Sequence, residues 1–142
     1  MDLNAPRFLL DTNHWSYLER GHSAVVARLE QALEDARFYM SVVVQGELLA
    51  GIEIAADPAR RAALREWYQG TVRDVAEVLP ITPDVAEEYA RIFAALRKAG
   101  HPISSNDIWI AATAVARDLV LVTSDQDFQH IPGINIQDWT SE

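Results

Sequence analysis

The chain contains no cysteine. That excludes a disulfide framework, a thiolate zinc site and a cysteine nucleophile. No apolar run approaches the roughly 20 residues a membrane-spanning helix requires. The N-terminal MDLNAPRF lacks the basic region and long apolar stretch of a signal peptide, so cytoplasmic residence is the expectation. Repeats, low-complexity tracts and Pro- or Gly-rich linkers are also missing, and residues 1–142 read as one domain. Basic residues are scarce: 12 Lys and Arg face 21 Asp and Glu, for a formal net charge of −9. That balance works against binding polyanions through cationic side chains. It suggests either a solvated surface with a basic partner or acids concentrated where a metal ion makes them tolerable. It says nothing about fold.

What remains is ordinary globular composition, 49% apolar and 23% charged. Phe8, Leu9 and Leu10 form a short apolar run that stops at Asp11-Thr12-Asn13, the pattern of a strand buried on both faces. Val25, Val26, Leu29, Leu33 and Ala36 follow at helical spacing. Phe38 to Val42 reads as a second strand and Val43 to Ala55 as a helix carrying Glu47. Asp57-Pro58 and Thr82-Pro83 each pair a capping residue with a proline at the first helical position. The first opens a helix with Leu64, Trp67, Tyr68, Val72 and Val75 on one face. The second opens one that ends at Gly100. Val78-Leu79 suggests a short strand, a helix begins near Ser104 or Ser105, and Leu119 to Val122 is the strongest strand. Ile134 to Ile136 is a weak last one. Strands alternating with helices predict an α/β sandwich around a mainly parallel sheet of four to five strands. Ligands of such sheets sit beyond the carboxyl ends of the strands, at the topological switch point.

Two aspartates fall at such ends: Asp11 directly after the first run, and Asp125 after Leu119–Val122 with Thr123 and Ser124 between. Glu47 lies about one and a half helical turns beyond the second strand, and Asp107 in the first turn of the helix near Ser104. Each has a plainer role when taken singly. Asp11 can cap the following helix. Ser104 and Asp107 have capping-box spacing. Glu47 can be a solvated helix residue, and Asp125 and Asp127 suit a turn. Together, carboxylates without basic partners repel, and they must shift their pKa values upward, lie apart in water or share a cation. Hard oxygen ligands suit Mg²⁺ or Mn²⁺. In phosphodiester hydrolysis such ions acidify a water and neutralise charge on the leaving oxygen.

Two other chemistries fit less well. A phosphatase with a strand-end Asp nucleophile needs a second acid two residues on, where this chain has Asn13. A phosphoryl-accepting receiver module needs paired acids early in the chain and a late Lys, and no Lys follows Lys98.

The segments LLDTNHW (Leu9 to Trp15), SVVVQGELLAG (Ser41 to Gly51), ISSNDIWIAATAVARD (Ile103 to Asp118) and LVTSDQDF (Leu121 to Phe128) resemble the PIN-domain family in order and spacing. Within it they most resemble the VapC toxins of bacterial toxin–antitoxin pairs, as does the tail from Ile131 to Trp139. The resemblance implies a three-layer PIN-like sandwich and an endoribonuclease dependent on Mg²⁺ or Mn²⁺, with transfer RNA one candidate substrate. It implies Asp11, Glu47 and Asp107 as catalytic metal ligands and Asp125 as a fourth ligand or water-positioner. Thr12, Asn13 and Ser124 are implied as supporting hydrogen-bonders, and Asp127 as a loop or outer residue. It further implies a homodimer and a cognate antitoxin whose basic segment enters the acidic pocket. The alternative is a PIN module that binds RNA or a partner without cutting, against which the intact acid set argues.

Arg60, Arg61, Arg65 and Arg73 read as a solvated face. Arg97 and Lys98, with His101, suit a helix C-terminus, but their closeness to Asp107 also makes Arg97 and Lys98 candidate RNA contacts. His14, one helical turn past Asp11, is a third candidate, although a lone histidine is more often packed or exposed. The four tryptophans belong to core or interface.

Overall fold

The computed structural model describes residues 4–141. Its centre is a five-stranded sheet in the order β3-β2-β1-β4-β5, and every pairing is parallel. The strands are β1 (Arg7–Leu10), β2 (Arg37–Ser41), β3 (Ala76–Leu79), β4 (Val120–Val122) and β5 (Ile136–Gln137). The helices are α1 (Thr12–Glu19), α2 (Ser23–Ala32), α3 (Val42–Ile54), α4 (Pro58–Trp67), α5 (Arg73–Val75), α6 (Pro83–Ala99) and α7 (Ser105–Arg117). Parallel strands must be covered on both faces, which explains why Phe8, Leu9 and Leu10 of β1 and all of β4 are unbroken apolar runs rather than alternating ones. Leu9, Leu10, Leu121 and Val122 have no exposed surface.

The chain runs outward from β1 through β2 to β3, then returns to the other side of β1 with β4 and β5. The switch in direction therefore falls between β1 and β4. Leu9 lies opposite Leu121 and Leu10 opposite Val122. The ladder extends one residue further, where Asp11 N–H donates to the Val122 carbonyl at 2.9 Å.

Helix boundaries follow local capping chemistry. Asp57 and Ser104 each accept a backbone N–H at the start of α4 and α7. Gly100, at φ 75°, closes α6 in the left-handed conformation that glycine takes without a Cβ penalty. Val42, read as strand, belongs to α3, because the Ser41 side chain accepts from Val43 N–H at 3.0 Å and starts the helix there. The single helix expected from Pro58 to Val75 is interrupted by a π-helical turn at Tyr68–Val72. That turn buries Tyr68 and Val72, and the Tyr68 hydroxyl accepts from Gln45 Nε2 at 2.9 Å. The last strand, expected at Ile134 to Ile136, is shifted to Ile136–Gln137. Arg60 pairs with Glu19, Arg65 with Glu53, and Arg61 bonds twice to the Ala55 carbonyl, so these three cations serve local structure.

His14 departs from the RNA contact suggested for it. It has no exposed surface. Nδ1 meets Asn13 Oδ1 at 2.8 Å, and Nε2 accepts the Trp139 backbone N–H at 3.2 Å. An amide oxygen can only accept and an N–H can only donate, so this is the neutral Nδ1–H tautomer with no nitrogen left for substrate. Burial holds its pKa down to about 4 despite the neighbouring Asp138, and His22 lowers it further.

Trp139 fastens the tail to this corner. It is almost fully buried, and its ring packs edge-on against Phe8 at 5.1 Å between centroids. Trp139→Ala is expected to cost about 3–5 kcal/mol, read as a lower urea midpoint with little change in slope.

Candidate metal centre

Four segments deliver the acids to the carboxyl edge of the sheet. Asp11 leaves β1 as the cap of α1, with its Oδ1 accepting Thr12 N–H at 2.8 Å. Thr123, which follows β4 directly, donates its hydroxyl to the other oxygen, Oδ2, at 2.9 Å. Glu47 reaches in from α3, and the Thr12 hydroxyl donates to its Oε1 at 2.9 Å. Asp107 projects from the first turn of α7, where its own N–H is held by Ser104 Oγ at 3.2 Å. Asp125 caps a 3₁₀ helix at Gln126–His130, and its Oδ1 accepts Asp127 N–H at 2.9 Å. Asp11 and Asp125 are thus helix caps as well as members of the acidic group.

The tightest group is Asp107, Asp125 and Asp127, with one carboxylate oxygen of each within 4.8 Å of the others. Sequence reasoning left Asp127 at the margin; the 3₁₀ turn after Asp125 brings it alongside Asp107. Asp11 and Glu47 stand beside this trio: the charges of Asp107 and Glu47 act on Asp11, and that of Glu47 also acts on Asp107. Among the described residues, none of the five acids is paired with Lys, Arg or His.

Uncompensated charge in a half-buried site raises pKa values. Burial pushes Asp11 up to about 6. The hydrogen bonds from Thr123 and Thr12 oppose that rise, and the charges of Asp107 and Glu47 add to it. Asp107 is also raised, first by burial and then by Asp125, Glu47 and Asp127, against the stabilising Ser104 hydroxyl. The donor set is all hard oxygen. It fits a divalent cation, which would relieve the repulsion that burial intensifies.

Thr123 is the residue that sequence reasoning missed. It is buried, and besides donating to Asp11 it accepts Asp125 N–H at 3.1 Å and Asn13 Nδ2 at 3.5 Å. The supporting role expected of Ser124 falls to Thr123, and among the described residues Ser124 has no side-chain hydrogen bond. Thr123 is the residue that β4 aims at β1, where its hydroxyl meets Asp11; its place directly after the apolar run was the available signal. Thr12 bonds to Glu47, and Asn13 to Thr123 and His14, while Arg97 and Lys98 lie exposed at the end of α6. A groove of about 380 Å³ opens beside Thr12 and Glu47 toward Ile52, Leu64 and Trp67. Larger hollows, of about 770 and 650 Å³, lie against α2 and the C-terminal tail and at the amino ends of β2 and β3, and neither touches the acids.

A parallel sheet with acids at its switch point defines a class, and the PIN domain model matches residues 8–134. The chain belongs to the PIN-domain family. It is 30% identical over 141 residues to Ribonuclease VapC1 of Haemophilus influenzae strain R2866, covering 94% of this chain and 98% of that protein. It is 32% identical over 134 residues, with the same two coverages, to the tRNA(fMet)-specific endonuclease VapC of Salmonella typhimurium. Among solved structures, VapBC-5 from Mycobacterium tuberculosis, a member of the VapBC family of toxin-antitoxin systems, superposes with a TM-score of 0.69 at 32% identity, over 93% of this chain and 96% of that one. No helix of the described residues is long and apolar enough to cross a membrane.

Asp11 gives the site a pH signature. Its folded pKa lies above the ordinary 3.8, so its stabilising contribution is complete below pH 3.8 and is lost as pH rises through about 6. Asp11→Asn removes that loss. In metal-free protein it is expected to be about 1–3 kcal/mol more stable than wild type at pH 8, with the gap closing toward pH 4, as followed by urea titration.

Proposed function

We propose that the chain is a Mg²⁺- or Mn²⁺-dependent endoribonuclease, the toxin of a VapBC-like toxin–antitoxin pair. One observation carries this reading: five carboxylates, brought together at the switch point, have no cationic partner among the described residues. The ribonuclease and endonuclease names of its relatives support the same reaction. We take residues 1–142 as one catalytic unit acting in the cytoplasm.

Asp11, Glu47, Asp107 and Asp125 are assigned as the residues that hold the metal, with Asp127 at the rim. A divalent ion bound there would acidify a water and offset charge on the phosphodiester. The chain's own groups do the positioning. Thr123 and the Thr12 N–H hold the two Asp11 oxygens in a fixed plane, and both bonds favour the ionised form a ligand needs. The Thr12 hydroxyl orients Glu47. Asp125 and Asp127 face Asp107 across the opening, where an acid not occupied by metal can orient or deprotonate the attacking water. Transfer RNA is the preferred substrate class on the strength of the Salmonella relative. A basic antitoxin segment has matching charge for the same acids, and a homodimer is assigned by likeness to the VapC toxins.

Incubation with total RNA and Mn²⁺ should give cleavage that EDTA abolishes. Asp11→Asn and Asp107→Asn should each reduce the rate at least about 100-fold. Cleavage that survives chelation and both substitutions rules the mechanism out. Saturating Mn²⁺ should also raise the melting temperature of wild type by mass action, and an unchanged value would argue against a metal site.

A further inference from the structure

His101 and His130 stack face to face, with centroids 4.0 Å apart and planes within 3°. Both residues are exposed, and among the described residues neither side chain makes a hydrogen bond, so all four ring nitrogens are open. Their backbones are nonetheless well fixed. His101 N–H closes the end of α6 by donating to the Leu96 carbonyl at 3.0 Å. His130 sits between two buried anchors, Phe128 and Ile131, and Ile131 N–H donates to the Phe128 carbonyl at 3.2 Å. The two rings cover each other's inner faces, so this exposed pair, held on fixed backbone, has its outer faces to offer a ligand.

Its position relates it to the acids. His130 and Asp127 lie three apart in the 3₁₀ helix. In that geometry i and i+3 share a face, separated by about 6 Å of rise. Asp127 in turn groups with Asp107 and Asp125. On the other side, His101 opens the short loop to Ser104, the cap of α7 from which Asp107 projects. The stack therefore flanks the acidic cluster on both of the segments that form it. Arg97 and Lys98 precede it on α6, exposed and without an acidic partner among the described residues.

We infer that His101 and His130 form a stacking platform for an RNA base adjacent to the phosphodiester held at the acids, with Arg97 and Lys98 contacting the neighbouring phosphate. Single-stranded RNA is commonly held by bases stacked on aromatic side chains, histidine included. Such stacking tolerates sequence variation and supplies affinity that a net-acidic surface cannot draw from its charges. The inference rests on the nuclease reading, and the platform would act on binding rather than on the chemical step.

The test compares wild type, the His101→Ala/His130→Ala double variant and the His101→Phe/His130→Phe double variant. Binding of a short fluorescein-labelled single-stranded RNA is measured by anisotropy in Ca²⁺, cleavage of the same RNA in Mn²⁺, and Mn²⁺ affinity by calorimetry. The alanine pair should weaken binding and raise KM about tenfold, leave kcat within about twofold and leave Mn²⁺ affinity unchanged. The phenylalanine pair should recover wild-type KM. Unchanged RNA binding in the alanine pair overturns the platform. So does a fall in kcat together with weaker Mn²⁺ binding, which would make the stack a clip between loops. Wild type that binds RNA but does not cut it rejects the nuclease reading and leaves the platform to be decided by anisotropy. Wild type that neither binds nor cuts rejects both.

Discussion

The pairing of β1 with β4 is the constraint on which the site depends. These strands are not adjacent in sequence, yet Leu10 and Val122 lie opposite one another. The residues that follow are therefore forced together: Asp11 on one strand, Thr123 and Asp125 on the other. The Thr123 hydroxyl then serves three residues at once, donating to Asp11 and accepting from Asp125 and Asn13. A shift of one residue in this register would turn Thr123 away and leave Asp11 half-satisfied in a buried position. The apolar strands fix the register through burial, and the register sets the chemistry.

The same arrangement explains why the acids do not simply open the structure. Asp11 and Asp107 are pushed toward protonation chiefly by burial. Fixed dipoles at helix starts offset part of that cost. Asp11 caps α1 by accepting the Thr12 N–H, Ser104 orders the first turn of α7, and Asp125 accepts the Asp127 N–H. A helix N-terminus favours negative charge, so four of the five acids, Asp11, Asp107, Asp125 and Asp127, stand where the backbone is already electropositive. Glu47 instead lies about one and a half turns into α3, with the Thr12 hydroxyl holding it. The residual repulsion is what makes the cluster receptive to a cation.

Much of this was legible in the sequence, for identifiable reasons. Short, strongly apolar runs and proline-marked helix starts depend on local chemistry, so the strands and the starts of α4 and α6 were read close to their true places. Asp11 and Asp125 could be placed because each follows a buried run. The rest depends on tertiary geometry. Asp127 could not be distinguished from a turn residue until the 3₁₀ helix turned it toward Asp107. Thr123 could not be ranked above Ser124 until strand pairing showed which hydroxyl meets Asp11. His14 shares the first motif with Asp11, yet the Trp139 backbone, more than a hundred residues away in sequence, occupies its outer nitrogen. The π turn at Tyr68 answers to burial rather than to helix propensity, and periodicity alone does not register it.

Charge sets a further condition on how such a site meets RNA. The 21 acids outnumber the 12 basic residues, and four of those twelve, Arg60, Arg65, Arg91 and Arg117, are already in ion pairs. Counterion release through Lys and Arg, the usual source of nucleic-acid affinity, is correspondingly limited. Binding must then rely on contacts that do not scale with net charge: a divalent ion shared between phosphate and carboxylates, and stacking of bases on rings. On the proposed readings, both lie at one edge, with the acids at the ends of β1 and β4 and the paired imidazoles one 3₁₀ turn from Asp127. A basic partner meets the opposite situation, because the field that repels RNA attracts it. Under the proposed function, the same acids meet RNA through metal and a basic protein segment through charge, which is the asymmetry an inhibitor of such an enzyme needs.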